Sequence, residues 1–251
     1  MGGPADGIHT DEIDTEKRDA QFAFYIDLLG HDMLNDNQAV LSYLELVLSV
    51  PDLDEHAEKY AKKAVSHIRT STLLIENVKR LLAMRTTDPN SFRSVDLVKT
   101  IEQARNELVK FFPGKRIDLS LSRKGVRDAY VLGDGFAQDL ILNVLASAVK
   151  FDTGDDIAMN IAVGDAECAG GRCWSVRIED GNAQFPTVLR DEKLESIYSQ
   201  DSSKAVKMCG LLFADMVAGA LGGGLKVEDL AVKGKGHGTA FTVYLRKAGA
   251  P

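Results

Sequence analysis

Two stretches of this chain repeat apolar or small residues in alternating steps of four and three, with a proline between them. Leu29, Met33, Asp36, Val40, Tyr43 and Val47 make the first row, and Ala57, Ala61, Ala64, Ile68, Ser71, Ile75, Val78 and Leu82 make the second. That spacing is the seam of a helical bundle. Pro51 ends the first helix, Asp52 or Asp54 caps the next, and Glu55 and Glu58 fall in its opening turns, where the helix dipole favours acids. Two long helices joined by so short a turn form an antiparallel hairpin. The first helix carries a flanking row as well, Leu34, Leu41 and Leu48. A lone hairpin leaves one of these rows in water, so the pattern predicts a homodimer whose two hairpins make a four-helix bundle.

His31 lies about 200° round the first helix from Leu29, off the seam. A neutral imidazole there is a nucleophile near pH 7, and a neighbouring carboxylate can orient the ring. Asp32 is the candidate for that role. Asn35, one turn on, is placed to position a water or a phosphoryl oxygen. A solvated surface histidine is the competing interpretation of His31 taken alone.

The length of 251 residues allows one large or two ordinary domains. A net charge of −7 without a basic block argues against nucleic acid as a partner, and no apolar run is long enough to insert in a membrane. Residues 1–16, Gly-rich and acidic, are expected to be disordered and carry no apolar signal core. Cys168, Cys173 and Cys209 have neither metal-ligand nor redox-pair spacing, which points to reduced thiols and a cytoplasmic setting.

A polar breaker at residues 86–90 divides the hairpin domain (17–87) from a second domain (88–251). In the second, helices expected over 97–112, 136–150 and 204–220 interleave with strands over 117–121, 130–132, 157–163, 173–179, 225–227 and 239–245. Some of the strands pair as hairpins. The fold class is α+β: a helical hairpin followed by an α/β sandwich, a mixed sheet with helices on one face.

This order of parts resembles the core of two-component sensor histidine kinases, whose α/β sandwich is of the GHKL type. The resemblance covers about Ala20 to Arg246. His31-Asp32-Met33-Leu34-Asn35 is similar to the family's phospho-acceptor box. Leu142 to Phe151 resembles its asparagine box, which implies Mg²⁺ held beside ATP by Asn143 and a phosphate contact from Lys150; Ser147 replaces a second asparagine. Ile178 to Gln184 resembles the first glycine box, which implies that Asp180 accepts the adenine amino group. Gly234 to Phe241 resembles the last glycine-rich turn and brings in Gly238 and Thr239. The glycines depart from the pattern: Asn182 and Gln184 stand where the first box has glycine, and Val206 and Met208 leave only Gly210 in the second. Side chains there obstruct the backbone's approach to a triphosphate.

The resemblance therefore implies a phosphotransferase passing phosphoryl groups between His31 and a response-regulator aspartate, with Mg²⁺ supplied by the regulator. An active ATP-dependent kinase that phosphorylates its own His31 is the alternative. A dimeric interaction scaffold with an inert His31 is the alternative of another class.

Overall fold

A computed structural model describes residues 6–88, 91–123, 125–126, 128–168, 171–185, 202–232 and 236–250, with the side chains of 6–22, 202–207 and 231–237 aside. The hairpin is α1 (Asp6–Leu48) and α2 (Glu55–Thr86). Helix α1 thus begins at Asp6, well inside the stretch expected to be disordered. Its turn contains Asp52 at φ +56°, and Asp54 caps α2 by accepting from the backbone N–H groups of His56 and Ala57. Of the two candidate caps, Asp54 is the one used.

The two rows of α1 have exchanged roles relative to the sequence expectation. The residues turned toward α2 are Ile26, Gly30, Leu34, Asn37, Leu41, Leu44 and Leu48, again in steps of four and three. Gly30 is buried there, and a Cβ at that position would stand 3.3 Å from Ile75 Cγ2. Asn37 forms a polar rung, donating to Ser71 Oγ and Thr72 Oγ1 at 3.3 and 3.2 Å. The row read first as the seam faces outward: Leu29, Met33 and Tyr43 are 57%, 50% and 69% exposed. The flanking row closes the hairpin because Gly30 and Asn37 continue it with small or hydrogen-bonding side chains, which an apolar count overlooks.

The second domain comprises β1 (Ser94–Asp96), α3 (Leu97–Phe111), β2 (Arg116–Ser122), β3 (Tyr130–Leu132), α4 (Asp134–Phe151), β4 (Asp156–Cys168), β5 (Gly171–Asp180), α5 (Ser202–Ala220), β6 (Gly224–Val232) and β7 (Gly236–Arg246). Five strands form a mixed sheet in the order β2-β4-β5-β7-β6, with β2 and β4 parallel and the other neighbours antiparallel. Strand β1, absent from the sequence expectation, pairs with β3 as a separate two-stranded ribbon. Three residues are too short a run to show an alternating pattern.

The core lies between the sheet and α3, α4 and α5. Along β4, Ile157, Met159, Ile161 and Val163 are buried while their neighbours point away, the period-two pattern of a sheet covered on one face. Helix α4 is buried almost throughout, from Phe136 to Val149. The middle helix of three must be apolar on several sides, so its periodicity is weak. Asp96 caps α3 by accepting from the N–H groups of Val98 and Lys99.

The cysteines correct the expectation of reduced thiols. Cys168 and Cys173 are joined in a disulfide across the β4–β5 turn, with Cα atoms 6.0 Å apart. The antiparallel register sets Cys168 opposite Gly171 and Cys173 opposite Ala166, close enough for the sulfurs to meet. Spacing along the chain does not reveal this, because the hairpin turn supplies the proximity. Cys209 is free. No helix of the described residues is long and apolar enough to cross a membrane.

Candidate functional site

His31 stands on the outer surface of α1, its side chain 70% exposed. Two side chains reach the ring, and both meet it at Nδ1. Asp32 Oδ1 lies 3.5 Å from Nδ1, and the Asn35 amide lies 3.2 Å from it. A carboxylate can only accept, so its presence favours the tautomer with the proton on Nδ1. The Asn35 atom that meets Nδ1 is its amide nitrogen, a donor that suits the other tautomer, and only an amide turned by 180° would agree with Asp32. Nε2 lies across the ring from both neighbours and keeps its lone pair in the tautomer that Asp32 favours. The helix holds the arrangement, since Asn35 is one turn beyond His31. One turn earlier Asp27 pairs with Lys79 at 2.8 Å, an exposed tie to α2 that holds the Asp27 carboxyl below its usual range.

The second group of candidates lies where β5 ends and β7 begins, beside the C-terminus of α4. Asp180 is fully buried and pairs in register with Thr239. Its Oδ1 accepts from the N–H groups of Asn182 and Ala183 at 2.8 and 3.0 Å. Thr239 Oγ1 donates to Ala183 O and accepts from Phe185 N, so it clamps the segment after β5. Gly238 is required by close approach: a Cβ there would lie 2.4 Å from Asp180 O. Phe185 stacks edge-on against Phe151 and Phe241 beneath this segment. Gly238 and Thr239 therefore position Asp180. Gly234 and Lys235 lie outside the described residues.

Asp152, which the sequence did not single out, stands beside Asp180. Its Oδ1 accepts from Gly154 N, and the ammonium of Lys115 donates to the carbonyls of Asp152 and Gly154. Asp152 Oδ2 and Asp180 Oδ2 are both buried without a donor among the described groups. Burial pushes the Asp180 carboxyl up, and the neighbouring Asp152 charge and hydrogen bond push the same way against the two backbone donors. A proton held between the two carboxyls would give both oxygens a partner. An acid whose pKa is raised by folding loses stability as pH rises from the ordinary aspartate range through the raised value. Asp152→Asn is thus expected to stabilise the protein at neutral pH by about 1 kcal/mol and to flatten that decline. Urea midpoints measured from pH 4 to pH 8 test it, and an unchanged slope would refute the shared proton.

The remaining candidates are occupied otherwise than the resemblance implies. The Asn143 amide is 1% exposed and bonded reciprocally to the Asn77 amide of α2, at 2.7 and 2.9 Å. Ser147 Oγ donates to Asn143 O. Gly210 brings α5 against α4: a Cβ there would meet Asn143 Oδ1 at 3.0 Å and Ser147 Oγ at 3.1 Å. Its role is helix packing. Met208, one of the residues standing in place of glycine, is in the core at 1% exposure; the Val206 side chain lies outside the described residues. Lys150 keeps exposed surface, although desolvation lowers its pKa, with the Cys209 thiol close by.

This donor set does not fit Mg²⁺. Asn143 is committed to α2, Ser147 to its own helix, and no cluster of three metal-ligating side chains occurs among the described residues. The buried Asp180 carboxyl, with one free oxygen, is compatible with an amino donor such as a purine base. Asn77 was missed because the α2 pattern was read for one face only. The signal was a polar residue in a second row, Leu73, Asn77, Leu81 and Met84.

No protein-family model and no curated protein matches the chain. Solved structures do. Full-length ShkA in complex with AMPPNP is 18% identical with a TM-score of 0.55, over 90% of this chain and 46% of ShkA. The mycobacterial sensor histidine kinase MprB is 18% identical with a TM-score of 0.46, over 62% of this chain and 97% of that one. The ATP-binding domain of PrrB from Mycobacterium tuberculosis is 19% identical with a TM-score of 0.42, over 63% of this chain and 99% of that one. The chain spans less than half the length of ShkA. Its architecture, a helical hairpin followed by a five-stranded mixed sheet backed by helices, is a histidine-kinase-like fold.

Proposed function

We propose that this protein acts in two-component signalling as a phosphotransferase, exchanging a phosphoryl group between His31 and an aspartate of a response regulator. The observation that carries the reading is the convergence of Asp32 and Asn35 on Nδ1, which leaves Nε2 outward, and nucleophilic in the tautomer that Asp32 favours. In the forward step Nε2 attacks phosphorus in line as the P–O bond to the regulator's aspartate breaks, and the carboxylate leaves with the bonding pair. The ring becomes a phospho-imidazolium, whose charge Asp32 offsets through Nδ1–H. The regulator's own Mg²⁺ neutralises the phosphoryl oxygens. A cytoplasmic setting follows from such a partner.

The exposed row of α1 supports a second copy as the bundle's other half. Leu29, Met33, Val40, Tyr43 and Val47 form one stripe, at seam spacing, on a helix already packed by its other face. Tyr43→Glu is expected to halve the mass seen by sedimentation equilibrium, with unchanged helical circular dichroism. A wild-type chain that sediments as a monomer would refute the bundle.

One observation favours the ATP-dependent kinase as a second reading: the buried Asp180 oxygen without a donor. Calorimetric titration with ATP·Mg²⁺ separates the two. The phosphotransferase reading expects no binding by the folded protein. Binding that is lost in Asp180→Asn would replace it with the kinase.

A further inference from the structure

Helix α2 presents two faces. One packs on α1; the other, Leu73, Asn77, Leu81 and Met84, packs on the core of the second domain. Asn77 is 3% exposed within this otherwise apolar row, and its partner Asn143 is 1% exposed on α4. Each amide donates to the other, and the second Asn143 hydrogen goes to Asp139 O at 2.9 Å. Behind Asn143 the backbone of α5 comes close at Gly210, so the amide has α5 on one side and Asn77 on the other. Arg80 adds a second tie beside the first, 2.9 Å from Asp139 Oδ2 and 5.5 Å over the Phe136 ring.

A reciprocal amide pair in an apolar seam fixes register more than it adds stability, because any sliding or lifting leaves two buried amides unpaired. Beside the apolar row the junction is partly polar and incompletely filled. An open notch lies between the hairpin and α4, lined by Leu34, Glu76, Arg80 and Asp139 among others. Junctions of this kind between domains open more readily than cores do.

We propose that the Asn77–Asn143 pair is a latch that holds the hairpin on the second domain, in a docked state that withholds the Asn143 amide from any ligand of that domain. Docking and ligation of Asn143 exclude each other, and by linkage whatever takes the amide loosens the hairpin. The latch holds independently of whether His31 exchanges phosphate.

Hydrogen exchange on the full chain, read by mass spectrometry, tests this. In Asn77→Ala, amides of 73–84 and 139–147 are expected to exchange about tenfold faster, while β4 and β5 stay at the wild-type rate. The Asn77→Ala/Asn143→Ala chain is expected to exchange no faster than either single variant, since the pair can be broken only once. Asn77→Leu keeps the row apolar, guards against loss of the fold, and is expected to give the same local acceleration. Wild-type rates in Asn77→Ala and Asn77→Leu would overturn the latch. Additive single effects would also overturn it, as would acceleration spread equally through β4, β5 and β7.

Discussion

Incubated with phosphoramidate, a small N–P donor, the wild-type protein is expected to gain one acid-labile phosphoryl group and His31→Ala none. The loss should be complete, because of the exposed histidines His31, His56 and His67 only His31 has a carboxylate and an amide at its ring. Asp32→Asn keeps the side chain's size but removes the charge that favours Nδ1–H and offsets the imidazolium. Its rate is expected to fall about a hundredfold, the usual worth of a positioned acid–base partner. Mass spectrometry of the intact chain before and after acid treatment reads both variants. Label that persists in His31→Ala would assign the acceptor elsewhere. Absence of label from the wild type, together with no discharge of a phosphorylated receiver, would leave the interaction scaffold as the function.

Gly238→Ala is expected to destabilise the second domain by about 3 kcal/mol or more. The added Cβ would lie 2.4 Å from Asp180 O, 2.7 Å from Gly181 Cα and 2.9 Å from Gly181 C. All three are backbone atoms, so no side chain can swing aside. Strands β5 and β7 must part at the point where Asp180 is held, which also loosens the Thr239 clamp on Ala183 and Phe185. A urea titration that follows Trp174, on β5, should show an earlier midpoint. A midpoint within experimental error of wild type would mean that this strand end tolerates separation. Gly210→Ala is the milder comparison, because its nearest neighbours at 3.0 and 3.1 Å are side-chain oxygens that can shift.

Much of the architecture was legible because it rests on local rules. The seam spacing, Pro51 and Asp54 give the hairpin, and alternation along β4 and β5 gives the central strands. His31 with Asp32 and Asn35 was legible too, since neighbours one and four residues apart on a helix meet whatever the tertiary fold. What escaped depends on partners distant in sequence. Asn143 pairs with Asn77 across 66 residues, and Asp152 meets Asp180 across two strands; Cys168 and Cys173, with a sequence separation of 5, meet only once the hairpin register is set. The exchanged rows of α1 have a different origin. Gly30 and Asn37 complete the inner row by allowing close approach and by hydrogen bonding, and neither registers as hydrophobic.

Helix α2 runs from Glu55 to Thr86 as one helix. Its Ile75 touches α1 at Gly30, and two residues further on its Asn77 grips α4. A rigid rod engaged on both sides behaves like a shared gear. Any rotation about its axis that repacks the helix carrying His31 must also shear the amide pair on the opposite flank. While the amide pair is closed, the acceptor helix and the sheet domain therefore change register together, and a push on either is felt by the other within a single turn of the rod.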